Sequence, residues 1–260
     1  MKLYHYTSLA VFPKIWEEKR LKFSESKTTN DTFERHKSLR INGAFFSNFL
    51  STMGEEGIEQ FIYDVLSEIE CYKQVSLCID YDDGLMGYAS PMMWGQYARQ
   101  KNTRNKWVDG VCIELDDNKL LWPSVNFYKG IVKYVNEVPM PVLDGVDITK
   151  GDAVNMYIER NQSLLFFTKH KHWEHENEYR LVCKGTDYID ISNAITGIYV
   201  LEKDSPAFKK VVKHVDDESL INFLNHGSFV GRYLESTNLK RFNDMHRLLS
   251  QAKISPERYL

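Results

Sequence analysis

Short apolar runs recur along this chain at irregular intervals, and no regular alternation of strand and helix links them. Residues 2–7, 21–24, 44–49, 75–80, 110–115, 130–135, 179–183 and 195–201 each carry an apolar or alternating pattern consistent with a strand. A doubly wound sheet needs a helix between each pair of successive parallel strands, and this spacing does not supply one. The pattern predicts a mixed α+β body. Its clearest helix covers 54–72, with Ile58, Phe61, Ile62, Val65, Leu66 and Ile69 on one face. Further helices are predicted over 8–19, with Ser8 as cap and Pro13 in an irregular first turn, and over 91–99, opened by Pro91. Another is predicted over 152–169, while 25–34 reads as a polar loop and 139–150 as a turn-rich link. The texture changes after Ser205, where 209–214, 218–225 and 239–253 read as helical. The chain is therefore divided into a body, 1–204, and a helical C-terminal extension, 205–260.

Several function classes lose support on composition. No GxGxxG and no GxxxxGK[ST] occurs, so neither a Rossmann nor a P-loop nucleotide site is indicated. A net charge of −3 removes the global argument for nucleic-acid binding, although a local basic groove is compatible with it. None of Cys71, Cys78, Cys112 and Cys183 forms a CxxC pair, which argues against a zinc ribbon. The sequence carries no signal peptide, and its apolar runs fall short of the roughly 20 residues of a membrane span. These features predict a cytoplasmic protein with no membrane partner.

Five constellations remain. On a first strand, His5 and Thr7 share one face and Tyr4 and Tyr6 the other, beside the start of a helix. The plain alternative is a half-buried histidine with a satisfied hydrogen bond. On a late strand, Glu176, Glu178 and Arg180 point one way while Tyr179 and Leu181 point to the core. Such a charged face is either solvated or functional, because burial costs desolvation. His172, His175 and Glu178 would suit a metal, and a metal-dependent hydrolase, only if the segment were helical. Trp94 and Tyr97, three apart, form either a platform for a flat ring or a piece of core. The loop from Asn30 to Glu34 carries one aromatic, Phe33, and reads as a loop or a ligand lid.

The order of these pieces matters. Tyr4-His5-Tyr6-Thr7-Ser8 comes first, followed by Leu21-Lys22-Phe23-Ser24, Asn30-Asp31-Thr32-Phe33-Glu34 and Phe46-Ser47. Met93-Trp94-Gly95-Gln96-Tyr97-Ala98, Gly110-Val111-Cys112-Ile113, Trp173 and Glu178-Tyr179-Arg180-Leu181 complete the series. Over roughly residues 3–202 this series resembles the bacterial family DUF2971, which is in turn similar to the ADP-ribosyltransferase fold. The resemblance implies a split, mostly antiparallel β-core with flanking helices, and an NAD cleft between two small sheets. It implies the His–Tyr–Glu class, with His5, Tyr97 and Glu178 as catalytic residues and Tyr6 as the alternative for the middle position. Tyr6, Thr7, Phe23, Asn30, Ser47, Trp94 and Arg180 are expected around the cofactor. The Glu-x-Glu of Glu176 and Glu178 also resembles the arginine-modifying class, which opens with arginine where this chain has His5.

On that basis the chain is expected to cleave NAD at the nicotinamide–ribose bond without a metal, as a bacterial toxin or anti-phage effector. Its acceptor would be a protein side chain, a nucleic-acid base or water, the last making it an NAD glycohydrolase. An antitoxin or sensor partner would engage the tail from Ser205. A non-catalytic module that binds a nucleotide or partner on the same fold is the competing expectation.

Overall fold

The computed structural model of the chain describes residues 1–8, 10–29, 31, 40–41, 43–101, 105, 107–108, 110–123, 126–139, 141–143, 151–201 and 208–212. Within these, only the backbone is described for 40–41, 43–50, 107–108, 142–143, 200–201 and 208–212. The alternating segment at the N-terminus forms β1 (Lys2–Thr7), and its two faces diverge in purpose. Leu3 enters a core cluster with Phe12, Trp16, Leu21, Ile113 and Leu181. Tyr4 and Tyr6 enter another with Cys78, Cys112, Trp94 and Tyr199. The chain turns into helix α1 (Phe12–Glu18), which buries Phe12, Ile15 and Trp16 and stops at Lys19 in the left-handed region, φ 52°. Ser8 contributes to this start through its backbone carbonyl, which accepts from Val11 and Phe12, and the helix has no side-chain cap.

Helix α2 (Gly43–Glu70) includes residues 44–49, which the sequence pattern predicts as a strand. A short apolar run cannot by itself distinguish a strand from a buried helical segment. The break falls instead at Gly54, whose φ of 69° and ψ of 176° interrupt the helix and which has nothing within 4 Å where a Cβ would stand. Beyond it, Ile58, Phe61, Val65 and Ile69 are buried as the period predicts. Phe61, Val65 and Ile69 pack with Tyr157, Phe166 and Val182, which joins α2 to helix α3 (Ala153–Phe166) and to the sheet.

The remaining main strands are β2 (Lys73–Cys78), β3 (Val111–Asp116), β4 (Phe127–Ile131), β5 (Glu178–Cys183), β6 (Ile195–Leu201) and β7 (Phe208–Val212). Among the described residues they form an eight-stranded sheet in the order β7-β6-β3-β1-β2-β5-β4, with Ser24–Glu25 pairing beside β2. All these pairings are antiparallel. The fold is thus mixed α+β with a mostly antiparallel sheet. β7 falls where 209–214 is predicted to be helical. Pairing with the edge of β6 overrides that local preference, in a segment that ends Val211-Val212. The predicted helices over 218–225 and 239–253 lie outside the described residues.

Two further departures shape the site. The strand expected over 130–135 is split at Val132. β4 pairs with β5, whereas Lys133–Val135 switches to a parallel pairing with Thr168–His170. The helix expected through residue 169 ends at Phe166, because Thr168–His170 is drawn into that pairing. A short strand at the end of a helical pattern is invisible to a helical period, since its partner is more than thirty residues upstream.

Candidate functional site

β1 and β2 share one register pair, Tyr4 with Cys78, and their ladder goes no further. Where they part, a cavity of about 260 Å³ opens between His5 and Tyr6 on one side and Gln74, Ser76 and Leu77 on the other. Its floor carries Lys169, Glu176 and Glu178, and Tyr97, Met93 and Trp173 form part of its wall. Lys22, Ser24, Thr28, Thr29 and Asp31 also line it.

Glu178 is the first residue of β5, opposite Cys78 at the last point where β1 and β2 are joined. Four hydrogen bonds fix its backbone and the turn before it. Its N–H donates to Tyr134 Oη at 3.0 Å, and its carbonyl accepts from Val132 N at 2.9 Å. Asn177, left-handed at φ 41°, donates from Nδ2 to the carbonyls of Ile79 and Asp80, both at 3.0 Å. Left-handed backbone is a conformation that asparagine adopts more readily than most residues. The result is a sharp exit from the 3₁₀ turn Lys171–Glu176 into the strand.

The Glu178 carboxylate is 2% exposed and saturated with donors. Oε1 accepts from Ser76 Oγ at 2.5 Å and from Arg180 Nε at 2.6 Å. Oε2 accepts from Arg180 Nη2 at 2.8 Å, with Lys169 Nζ at 3.0 Å. Burial pushes this carboxyl upward, but the charges of Arg180 and Lys169 and the hydrogen bonds from Arg180 and Ser76 outweigh it and hold it at about 2. Arg180 Nη1 in turn donates to the carbonyl of Phe166 at 2.7 Å, tying the ion pair to the end of α3. Glu176, also buried, accepts from Lys169 Nζ at 2.6 Å and from the Tyr97 hydroxyl.

His5 is half-buried at the other side of the cavity. Desolvation pushes its imidazole down to about 4 against the opposing effect of a hydrogen bond to the Ser76 backbone. The ring is neutral at pH 7, and one of its nitrogens is available as an acceptor. Tyr97 reaches the cavity from a single π-helical turn, Trp94–Ala98, entered through Pro91–Met93. Gly110 makes that approach possible, because a Cβ there would stand 2.1 Å from the Thr7 carbonyl and 2.4 Å from that of Ala98.

The residues expected to act together are thus partly assembled. His5, Tyr6, Tyr97 and Glu178 line one cavity. Arg180 lies behind Glu178 and outside the lining. Thr7 is buried at the end of β1, and Phe23 is packed against the core beside Leu21. Trp94 is core as well, donating from its indole to the Tyr88 carbonyl at 2.8 Å and meeting Tyr6 edge-on. None of these three lines the cavity. Asn30 and the side chain of Ser47 lie outside the described residues. Glu176 lies in the 3₁₀ turn and not on the strand with Glu178 and Arg180, and all three are buried, which removes their solvated reading.

Sequence reasoning did not single out Lys169, Ser76 and Tyr134. Each is an ordinary residue of its own segment, and only pairings distant in sequence give it a role. The histidines of 170–175 do not gather around a metal. His170 Nδ1 caps the 3₁₀ turn through His172 N, and His175 Nε2 sits 3.2 Å from Gln96 Oε1. Among the described residues no group of three or more His, Cys, Asp or Glu side chains is placed to hold a metal ion. Among the same residues, no helix is long and apolar enough to cross a membrane.

Residues 93–181 match the family DUF2971, described as a protein of unknown function. The matched stretch runs from the π turn to β5 and contains Tyr97, Lys169, Glu176, Glu178 and Arg180, but not His5. No curated protein and no solved structure matches the chain.

Proposed function

We propose that this chain cleaves NAD at the nicotinamide–ribose bond and passes the ADP-ribose to an acceptor or to water, on an ADP-ribosyltransferase-like core. The observation that carries the reading is the cavity at the parting of β1 and β2, bordered by His5 on one strand and Glu178 on another, with Tyr97 on its wall. A volume of about 260 Å³ lies just below the roughly 300–1,000 Å³ of small-molecule sites and suits the nicotinamide–ribose half of the dinucleotide.

Breaking this bond leaves positive charge on the ribose ring, as in glycoside hydrolysis. The C–N electron pair departs on the nicotinamide nitrogen, and the acceptor oxygen or nitrogen closes on the ribose carbon and loses its proton to solvent. The Glu178 carboxylate, ionised and fixed in protein, not water, favours that charge, because a preorganised field needs no reorientation at the moment of reaction. Neutral His5 can accept from a ribose hydroxyl, and Tyr97, steadied by Glu176, can lie against the nicotinamide. The wider role, a toxin or anti-phage effector under an antitoxin or sensor, rests on the family resemblance alone.

A second reading has one observation in its favour. Glu178 already meets four donor atoms, as a structural ion pair would, so the cleft can be a nucleotide- or partner-binding site without turnover. Incubation with NAD labelled in the nicotinamide separates the two. Release of label supports the enzyme, and binding measured by calorimetry without release supports the module.

A further inference from the structure

We propose that Lys169 is the positioning residue that allows two neighbouring buried carboxylates to stay ionised together at the cavity floor. Its ammonium lies 2.6 Å from Glu176 Oε2 and 3.0 Å from Glu178 Oε2, and it belongs to neither carboxylate alone. The proposal deepens the NAD-cleaving reading, which uses the carboxylate of Glu178, but the ionisation it concerns exists whether or not NAD is the ligand.

The site is dry and its charges are few. Lys169, Glu176, Glu178 and Arg180 are all less than a tenth exposed. Arg180 is committed to Glu178 through two nitrogens and to the Phe166 carbonyl through the third. Tyr134, beside Lys169 in the parallel pairing, has its hydroxyl on the Glu178 backbone and brings no charge. Glu176 has the neutral Tyr97 hydroxyl as its other donor. His5, neutral at pH 7, and Lys22 and Asp31 line the same cavity.

Without Lys169, the two carboxylates face each other with a single guanidinium, already held by Glu178. Two carboxylates sharing a site do not both ionise easily, and desolvation pushes the less supported one up. That one is Glu176. The Lys169–Glu176–Tyr97 chain has a mechanical consequence as well, because it sets the angle at which Tyr97 meets the cavity.

The test is a carbon-13 titration of the glutamate side chains in the full chain carrying Lys169→Met, beside the wild type and Lys169→Arg. In Lys169→Met a carboxyl transition appears that the wild type lacks, and Glu176→Gln in the same background abolishes it. Lys169→Arg keeps both carboxylates ionised. If the Lys169→Met chain turns over NAD, its kcat/KM relative to wild type falls about tenfold for each pH unit below the new transition. A purely structural loss would be uniform with pH. If Lys169→Met does not fold, recovery of the fold on adding Glu176→Gln supports the proposal, and a double variant that also fails to fold overturns it. A folded Lys169→Met chain with no new carboxyl transition overturns it. A wild type that releases no nicotinamide sinks the NAD reading and leaves the titration result standing.

Discussion

Replacing Glu178 with glutamine should destabilise the protein severely, before any question of catalysis arises. The substitution removes a charge and one acceptor oxygen from a position where Arg180 donates through both Nε and Nη2, and it leaves a guanidinium 2% exposed without its counter-ion. Breaking a buried ion pair from one side costs about 3–5 kcal/mol. The ionisation of Glu178 gives the same scale independently. A carboxyl lowered from the usual 4.5 to about 2 by its folded surroundings, at about 1.4 kcal/mol per pH unit, contributes about 3 kcal/mol. Because the folded value is depressed, that contribution is fully present above pH 4.5 and is lost as pH falls toward 2. For a domain of this size the loss corresponds to a melting point lower by roughly 6–20 °C at pH 7. Calorimetric melts of wild type and Glu178→Gln across acid to neutral pH would read it. The two should differ most at pH 7 and converge toward pH 2. A Glu178→Gln protein melting within about 2 °C of wild type at pH 7 would refute the claim that this ion pair holds the cavity floor. The practical corollary concerns activity assays, since loss of turnover in Glu178→Gln says little unless its melting curve is measured beside it.

The His5 imidazole, pushed down to about 4, makes the fold lose stability as pH drops from 6.5 toward 4, because the unfolded chain takes up the proton first. Urea titrations should show that part of the slope missing in His5→Gln, at most about 3 kcal/mol before solvent screening at a half-buried ring reduces it; an identical slope in both proteins would count against a desolvated ring. Gly110→Ala should cost about 3 kcal/mol or more, because its Cβ would collide with two backbone carbonyls, neither of which can swing aside. An unchanged urea midpoint in Gly110→Ala would mean that the Thr7–Gly110–Ala98 crossing does not set the approach of the π turn.

Much of the frame is legible in the sequence, and the misses have a common cause. The alternation of 2–7, the period of 54–72 and the apolar strand beginning at Tyr179 are local signals and appear as strand, helix and strand. The run 44–49 and the segment 208–212 are too short for their own pattern to fix their state. The site divides in the same way. His5 and Glu178 stand out because each is a polar residue in a strand rich in apolar side chains, and both line the cavity. Trp94 reads equally well as platform or core, and its partner at Tyr88 makes it core. Ser76 and Lys169 carry no motif. Ser76 faces the cavity because the β1–β2 ladder stops, and Lys169 because the chain from 127 to 135 changes partners at Val132. Both depend on strand pairing over long separations, which periodicity does not encode.

The central claim, that the cleft between β1 and β2 is a site of NAD cleavage, is tested most directly by nicotinamide release. NAD labelled in its nicotinamide ring is incubated with the purified full chain, alone and with a bacterial lysate as a source of acceptors. The account predicts free nicotinamide accumulating in proportion to protein, with the label lost from NAD and the ADP-ribose appearing on an acceptor or in solution. NAD that remains intact in both conditions, with a chain that melts as a folded protein, would contradict it.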